Sequence, residues 1–140
     1  MNVLYRTEAV ATGGRTGSAA TTDGAFSVNL VTPKELGGPG GEGNNPEQLF
    51  AAGYAACFIG ALKFVAGQKK VKIADDTTVA ATVGIGPRDD GQGFGLDVAL
   101  KVTLPGIDAD TAKALVDAAH IVCPYSHATK GSLDVRLSIA

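Results

Sequence analysis

Cysteine, net charge and long apolar runs are all scarce in this chain, and each scarcity excludes something. Two cysteines in 140 residues, Cys57 and Cys123, are too few for a disulfide framework. Twelve basic against fourteen acidic side chains leave a net charge of −2. The lysines and arginines are scattered, so neither a nucleic-acid stripe nor a patch for anionic membranes is expected. No uninterrupted apolar run reaches the ~20 residues of a membrane-spanning helix. The opening MNVLYRTEAV lacks the charged start and apolar core of a secretory signal. A cytoplasmic address is the expectation, and there a cysteine pair is redox, catalytic or metal-binding more often than structural. GGPGG is not followed by Gly-Lys-Ser/Thr, so it is no phosphate loop. No internal repeat or composition break divides the chain, and 1–140 reads as one domain.

What is present is apolar content, 45% of residues, in patterns that place the elements. Val3 to Val10 alternates and predicts a strand. Gly13 to Gly17 is a turn with Arg15 near its tip. Asp23-Gly24 signals a hairpin, followed by alternation at Phe26, Val28 and Leu30. These make a three-stranded antiparallel meander. Thr32 to Asn45 is a long glycine-rich loop without regular structure, of the kind that is functional or mobile. Asn45 caps a helix, Pro46 suits its first position, and Glu47 favours the positive end of its dipole. That helix is expected to run to about Ala66 and stop at Gly67. Val79 to Ile85 and Phe94 to Leu104 alternate around the turn PRDDGQG. Asp108 or Asp110 caps a second helix through Ala119, Cys123-Pro124 ends or bends it, Pro124 begins a short third helix closed by Gly131, and Leu133 to Ile139 is the last strand. The order βββ-α-ββ-α-(α)-β, without regular βαβ units, predicts an α+β fold with largely antiparallel sheet.

The first helix, PEQLFAAGYAACFIGAL at its core, raises the chemical question. Phe50, Gly53, Cys57, Gly60 and Phe64 share one face at helical spacing. A helical glycine costs ~1 kcal/mol relative to alanine, so two glycines beside Cys57 point to a close backbone approach or to space for a ligand. The other faces carry Ala51, Ala52, Ala55, Ala56, Ile59 and Ala61. A helix apolar nearly all round is a buried one, and in a domain this small that points to a dimer built around it. Composition alone leaves two readings of Cys57 and of Cys123: small hydrophobes inert in a core, or thiols made reactive by a nearby cation or dipole. Arg15 and Glu47 are the candidate supports. A metal set of His120, Cys123 and His127, completed by Cys57, has tolerable ligand spacing, although Pro124 redirects the chain inside it.

Two stretches carry a resemblance. NPEQLFAAGYAACF (45–58) and AHIVCPYSHATKG (119–131) resemble the two cysteine motifs of the organic hydroperoxide resistance proteins, the Ohr branch of the OsmC/Ohr superfamily. The likeness extends over the whole chain, through LYRTEAVATGGRTG, AFSVNLVTPKELGGPGGEG and LDVRLSIA. The chain departs from the motifs at His127 and Lys130, positions the chemistry does not depend on. The resemblance implies a thiol peroxidase, an intertwined homodimer with a long central helix between antiparallel sheets, without haem, flavin or metal. It implies that Cys57 is the peroxidatic cysteine, Cys123 the resolving cysteine that closes an intramolecular disulfide, and Arg15 with Glu47 the charged pair that activates Cys57. The implied substrates are alkyl or fatty-acid hydroperoxides, and the implied reductant is a dithiol on a lipoylated protein. An OsmC-type peroxidase would share this chemistry, but Pro124-Tyr125-Ser126 after the second cysteine is more Ohr-like. A non-enzymatic ligand-binding or stress-packing dimer is the rival from another class.

Two expectations accompany these roles. Phe50, Phe64 and Tyr125 are candidates to line an apolar substrate channel, against the plainer reading of core aromatics. Glu47 and Cys57 stand ten residues apart on one helix, ~15 Å at 1.5 Å per residue, so Glu47, and Arg15 with it, is expected to serve the Cys57 of a partner chain.

Overall fold

Residues that can satisfy one another's backbone groups locally set the boundaries in the computed structural model, which describes Met1–Ala140. The chain divides into two compact units, Met1–Leu49 and Phe50–Ala140.

In the first unit, β1 (Ala9–Thr12), β2 (Ser18–Thr21) and β3 (Ser27–Asn29) form the antiparallel sheet β1-β2-β3. The predicted meander is present, but its first strand is not Val3 to Val10. Alternation supplies strand propensity without a partner, and only from Ala9 does β2 offer one, through the register Ala9 to Thr21. Between β1 and β2 a single 3-10 turn, Gly14–Thr16, holds Arg15. It closes tightly: a Cβ on Gly17 would lie 1.8 Å from the Thr12 carbonyl oxygen, so only glycine fits there. The glycine-rich loop is more ordered than its composition predicts. A 3-10 turn spans Lys34–Leu36, the Gly40 amide donates to the Thr32 carbonyl, and Asn44 exchanges backbone bonds with Asn29 and Val31.

The helix α1 (Pro46–Gln68) begins in the first unit and continues through the second. Its start is a reciprocal capping box: Asn45 Oδ1 accepts from the Gln48 amide and Gln48 Oε1 accepts from the Asn45 amide, both at 2.9 Å. Its end is not Gly67. Lys70 adopts φ 56°, the Val71 amide donates to the Ala66 carbonyl and the Lys70 amide to the Gly67 carbonyl. That is a Schellman closure, in which the left-handed position falls on a lysine three residues past the expected glycine.

In the second unit, β4 (Thr78–Pro87) and β5 (Phe94–Thr103) make a ten-residue antiparallel hairpin. The α2 helix (Ala109–Val122) is capped by Asp108, whose side chain accepts from the Thr111 amide. Cys123 ends α2 in an extended conformation, as a residue before proline must, and opens α3 (Pro124–Thr129). The last strand, β6 (Val135–Ile139), pairs parallel to β5. The second sheet is therefore mixed, with one β-α-α-β crossover through α2 and α3, where the sequence pattern indicated no such unit. The core joins Tyr54, Phe58, Leu62 and Val65 of α1 to Val98, Leu100 and Val102 of β5 and to Leu115, Val116 and Ala119 of α2.

One sheet and one helix cover only one side of α1. Tyr54, Phe58, Ala61, Leu62, Val65 and Ala66 are buried, whereas Ala52, Ala56, Gly60, Lys63, Phe64 and Gly67 are exposed. Within a single chain the expected burial on all sides is thus a stripe. By length and composition α1 is long and apolar enough to cross a membrane, and one stripe of it packs into the core of the second unit.

Candidate active site

The two cysteines, 66 residues apart in sequence, meet in the second unit. Cys57 lies in the middle of α1 and is half-buried; Cys123, at the α2-α3 junction, is fully buried. Their sulfurs are 3.7 Å apart and both are free thiols. Burial pushes the Cys57 thiol above its ordinary value, and the neighbouring Cys123 thiol adds to the rise. The Tyr125 backbone N–H, in the first turn of α3, pulls the other way by donating to the sulfur. Within this unit, then, Cys57 is more reluctant to ionise than a free thiol.

An aromatic wall stands beside the sulfurs. The rings of Phe50, Tyr54 and Tyr125 are mutually in contact, with centroids 5.7 to 6.1 Å apart. Gly53 makes room for it: a Cβ at this position would sit 3.1 Å from Tyr125 Oη and 3.3 Å from its ring carbon Cε2. The glycine beside Cys57 therefore answers to a side chain rather than a backbone. Gly60, the other flanking glycine, faces open space. Of the three expected channel residues, Phe50 and Tyr125 join the wall. Phe64 does not: it is 58% exposed on the uncovered side of α1. Helical spacing placed it in line with Cys57, but the wall ends before that turn.

Arg15 and Glu47 meet in the first unit as a bidentate pair, with Nη1 to Oε2 at 2.8 Å and Nη2 to Oε1 at 2.6 Å. The Thr32 hydroxyl donates to the Arg15 carbonyl and ties down the turn. The Arg15 guanidinium holds the Glu47 carboxyl below its ordinary range, and Glu47 in turn raises the arginine. Only 12% of the Glu47 side chain is exposed.

The metal set considered from the sequence does not converge. No group of three or more His, Cys, Asp or Glu side chains is arranged to hold an ion, and His120 Nδ1 lies instead 3.0 Å from Ser126 Oγ. Sequence reading missed this part of the site: Ser126 Oγ also lies 2.8 Å from Tyr54 Oη, deep in the core. A tyrosine amid the alanines of an apolar helix was the available signal, because a buried phenol needs a partner.

Comparison with known proteins follows the same lines. An OsmC-like family model matches residues 38–138. The organic hydroperoxide resistance protein of Xanthomonas axonopodis pv. citri is 54% identical over 138 residues, covering 99% of this chain and 96% of its own. The OhrB protein of Bacillus subtilis is 41% identical over 136 residues, covering 97% of this chain and 98% of its own. The crystal structure of an organic hydroperoxide resistance protein from Legionella pneumophila superposes with a TM-score of 0.93 at 47% identity, covering 99% of both chains. That of Bacillus subtilis OhrB does so at 0.89 and 40%, covering 99% of this chain and all of its own. The fold is that of an OsmC-like protein, and the chain belongs to the organic hydroperoxide resistance branch of that family.

Proposed function

We propose that the protein is a thiol peroxidase that reduces organic hydroperoxides to alcohols and so protects the cell against oxidative stress, with 1–140 acting as one OsmC/Ohr-like domain in the cytoplasm. The observation that carries this reading is the 3.7 Å approach of two free thiols, one half-buried and one buried, beside an aromatic wall. The relatives' names, given for resistance to organic hydroperoxides, support it. The Cys57 thiolate attacks the distal oxygen of ROOH; the O–O bond breaks, ROH leaves after taking up a proton, and Cys57 becomes a sulfenic acid. Cys123 then attacks that sulfur. A disulfide forms, and the sulfenic oxygen departs as water. Early closure keeps Cys57 from the irreversible sulfinic state. A dithiol, carried on a lipoylated protein, returns both thiols.

Burial raises the Cys57 thiol, and a cation beside it favours the reactive thiolate. In this reading Arg15 supplies it, favouring the thiolate and offering N–H donors to the peroxide oxygens, while Glu47 fixes the planar fork of the guanidinium. The ten residues between Glu47 and Cys57 on α1, ~15 Å of helix, favour supply across a homodimer. Two observations support the dimer. No residue from 1 to 49 is buried in the single chain, although Leu4, Tyr5, Val10 and Phe26 lie there. The uncovered side of α1 is lined by Ala52, Ala56, Gly60 and Phe64, as a helix seam would be. Phe50 and Tyr125 give the site its preference for organic over hydrogen peroxide.

Counting free thiols tests the reading. One equivalent of an alkyl hydroperoxide is expected to remove two thiols per chain, faster than the same amount of hydrogen peroxide. No loss of thiols would favour a non-enzymatic dimer, and equal rates would overturn the role of the aromatic wall.

A further inference from the structure

The hydroxyl of Ser126 stands at the centre of a three-helix junction that the two-cysteine chemistry leaves unexplained. Ser126 is 3% exposed, and Thr77 is the only other buried polar residue. Its oxygen is 2.8 Å from Tyr54 Oη on α1 and 3.0 Å from His120 Nδ1 on α2, while Ser126 itself sits on α3. Each member is three residues from a reactive sulfur: Tyr54 from Cys57, and His120 and Ser126 on either side of Cys123. Three residues is nearly one helical turn. The junction therefore fixes, one turn away from the sulfurs, all three helices that carry or flank them.

Tyr54 is fully buried and has no other polar partner, so the contact with Ser126 satisfies its phenol, and Ser126 Oγ carries the contact on to His120 Nδ1. We propose that Ser126 is the positioning residue of the resolving step. It clamps the turn Cys123-Pro124-Tyr125 to α1 at a sulfur separation from which the disulfide closes directly. This rests on the peroxidase reading above.

The geometry says why a clamp matters there. The sulfurs must close from 3.7 Å to ~2.0 Å, and disulfide geometry tolerates little error in the approach. Cys123 lies at a junction between two helices, in an extended conformation with a proline behind it, and α3 has only six residues to hold it. The Tyr125 amide reaches the Cys57 sulfur and its ring packs on α1, and Ser126 to Tyr54 is the hydrogen bond between side chains that ties α3 to α1. Resolution joins Cys57 and Cys123 by an S–S bond, breaks the S–O bond of the sulfenic acid, and sends the Cys123 proton out with the hydroxide as water. A loosened turn slows this step and leaves the sulfenic acid open to a second peroxide.

The test separates the two steps by stopped-flow kinetics and mass spectrometry on Ser126→Ala, on Ser126→Thr, and on Tyr54→Phe, which keeps the ring packing and removes only the hydroxyl. In Ser126→Ala and Tyr54→Phe, disulfide closure is expected to slow about fivefold to tenfold, the ratio one net hydrogen bond is worth. In Ser126→Ala, formation of the sulfenic acid is expected to slow less than closure does, and Cys57 carrying two oxygens should accumulate at excess alkyl hydroperoxide. Ser126→Thr retains the hydroxyl and is expected to restore closure. Closure at the wild-type rate in Tyr54→Phe, or equal slowing of both steps in Ser126→Ala, would overturn the clamp. Wild-type protein run in parallel keeps the two ideas apart: if it forms no disulfide between Cys57 and Cys123, the peroxidase reading falls.

Discussion

Removing the Arg15 guanidinium should move the acidity of a thiol that its own unit makes harder to ionise. Burial and the Cys123 thiol both raise Cys57, and the Tyr125 amide alone opposes them. A thiol at the ordinary ~8.5 is about 3% ionised at pH 7; one raised above that is less so. A cation within hydrogen-bond reach lowers a neighbouring acid by about 1 to 3 pH units. In Arg15→Ala the rate of sulfenic acid formation at pH 7 should therefore fall by at least about tenfold, and the midpoint of its pH profile should rise by at least about one unit. The deficit should shrink as the pH passes the new midpoint, because the thiolate then forms without help. What remains at high pH measures the lost N–H donors. Glu47→Gln should behave differently. In the proposed arrangement it removes the negative charge near the thiolate and one of the two oxygens that fix the fork, so the midpoint should stay or fall while the plateau rate drops. The assay is single-turnover oxidation by an alkyl hydroperoxide between about pH 5 and about pH 10. An unchanged midpoint in Arg15→Ala would refute the reasoning, and so would a raised midpoint in Glu47→Gln.

Three further outcomes are expected. Gly53→Ala places a Cβ 3.1 Å from Tyr125 Oη, so the ring must shift. Turnover of bulky hydroperoxides should fall more than that of hydrogen peroxide, while unfolding stability changes by less than about 1 kcal/mol because alanine favours the helix by that amount; unaltered selectivity would count against the wall. Asn45→Ala breaks the capping box at the start of α1 and should cost about 1 kcal/mol, read from urea unfolding. Arg15 holds the Glu47 carboxyl below its ordinary value, so the stability it contributes is present above the unfolded carboxylate value of about 4.3 and is lost as the pH falls through the lower folded value. Melting temperature should decline over that window, and less steeply in Glu47→Gln.

What the sequence made legible was what local chemistry decides. Asn45, Pro46 and Glu47 mark the start of α1 by local chemistry alone, and strict alternation from Phe94 needs only a hairpin partner to become β5; the Gln48 half of the capping box appears only in the structure. What depended on distant chain was not legible. The alternation at Val3 to Thr7 had no strand to pair with. Leu133 to Ile139 carried no sign of direction, and β6 runs parallel because α2 and α3 lie between it and β5. Phe64 stood in line with Cys57 on a helix drawn alone, but the aromatic wall is made by Tyr125 from α3, and it reaches only as far as Phe50 and Tyr54. The two cysteines were recognisable as a pair by resemblance; their 3.7 Å separation depended on the packing of α2 against α1, which no spacing rule supplies. Ser126 was invisible for the same reason, since its partners are 72 and 6 residues away.

The most direct measurement is peptide mapping after a single equivalent of an alkyl hydroperoxide. Wild-type protein should yield the Cys57–Cys123 disulfide within one chain, and Cys123→Ser should yield a sulfenic acid trapped at Cys57 with one alcohol released per thiol consumed. A wild-type chain that keeps both thiols, or a Cys57→Ser variant that still releases alcohol, would contradict the account.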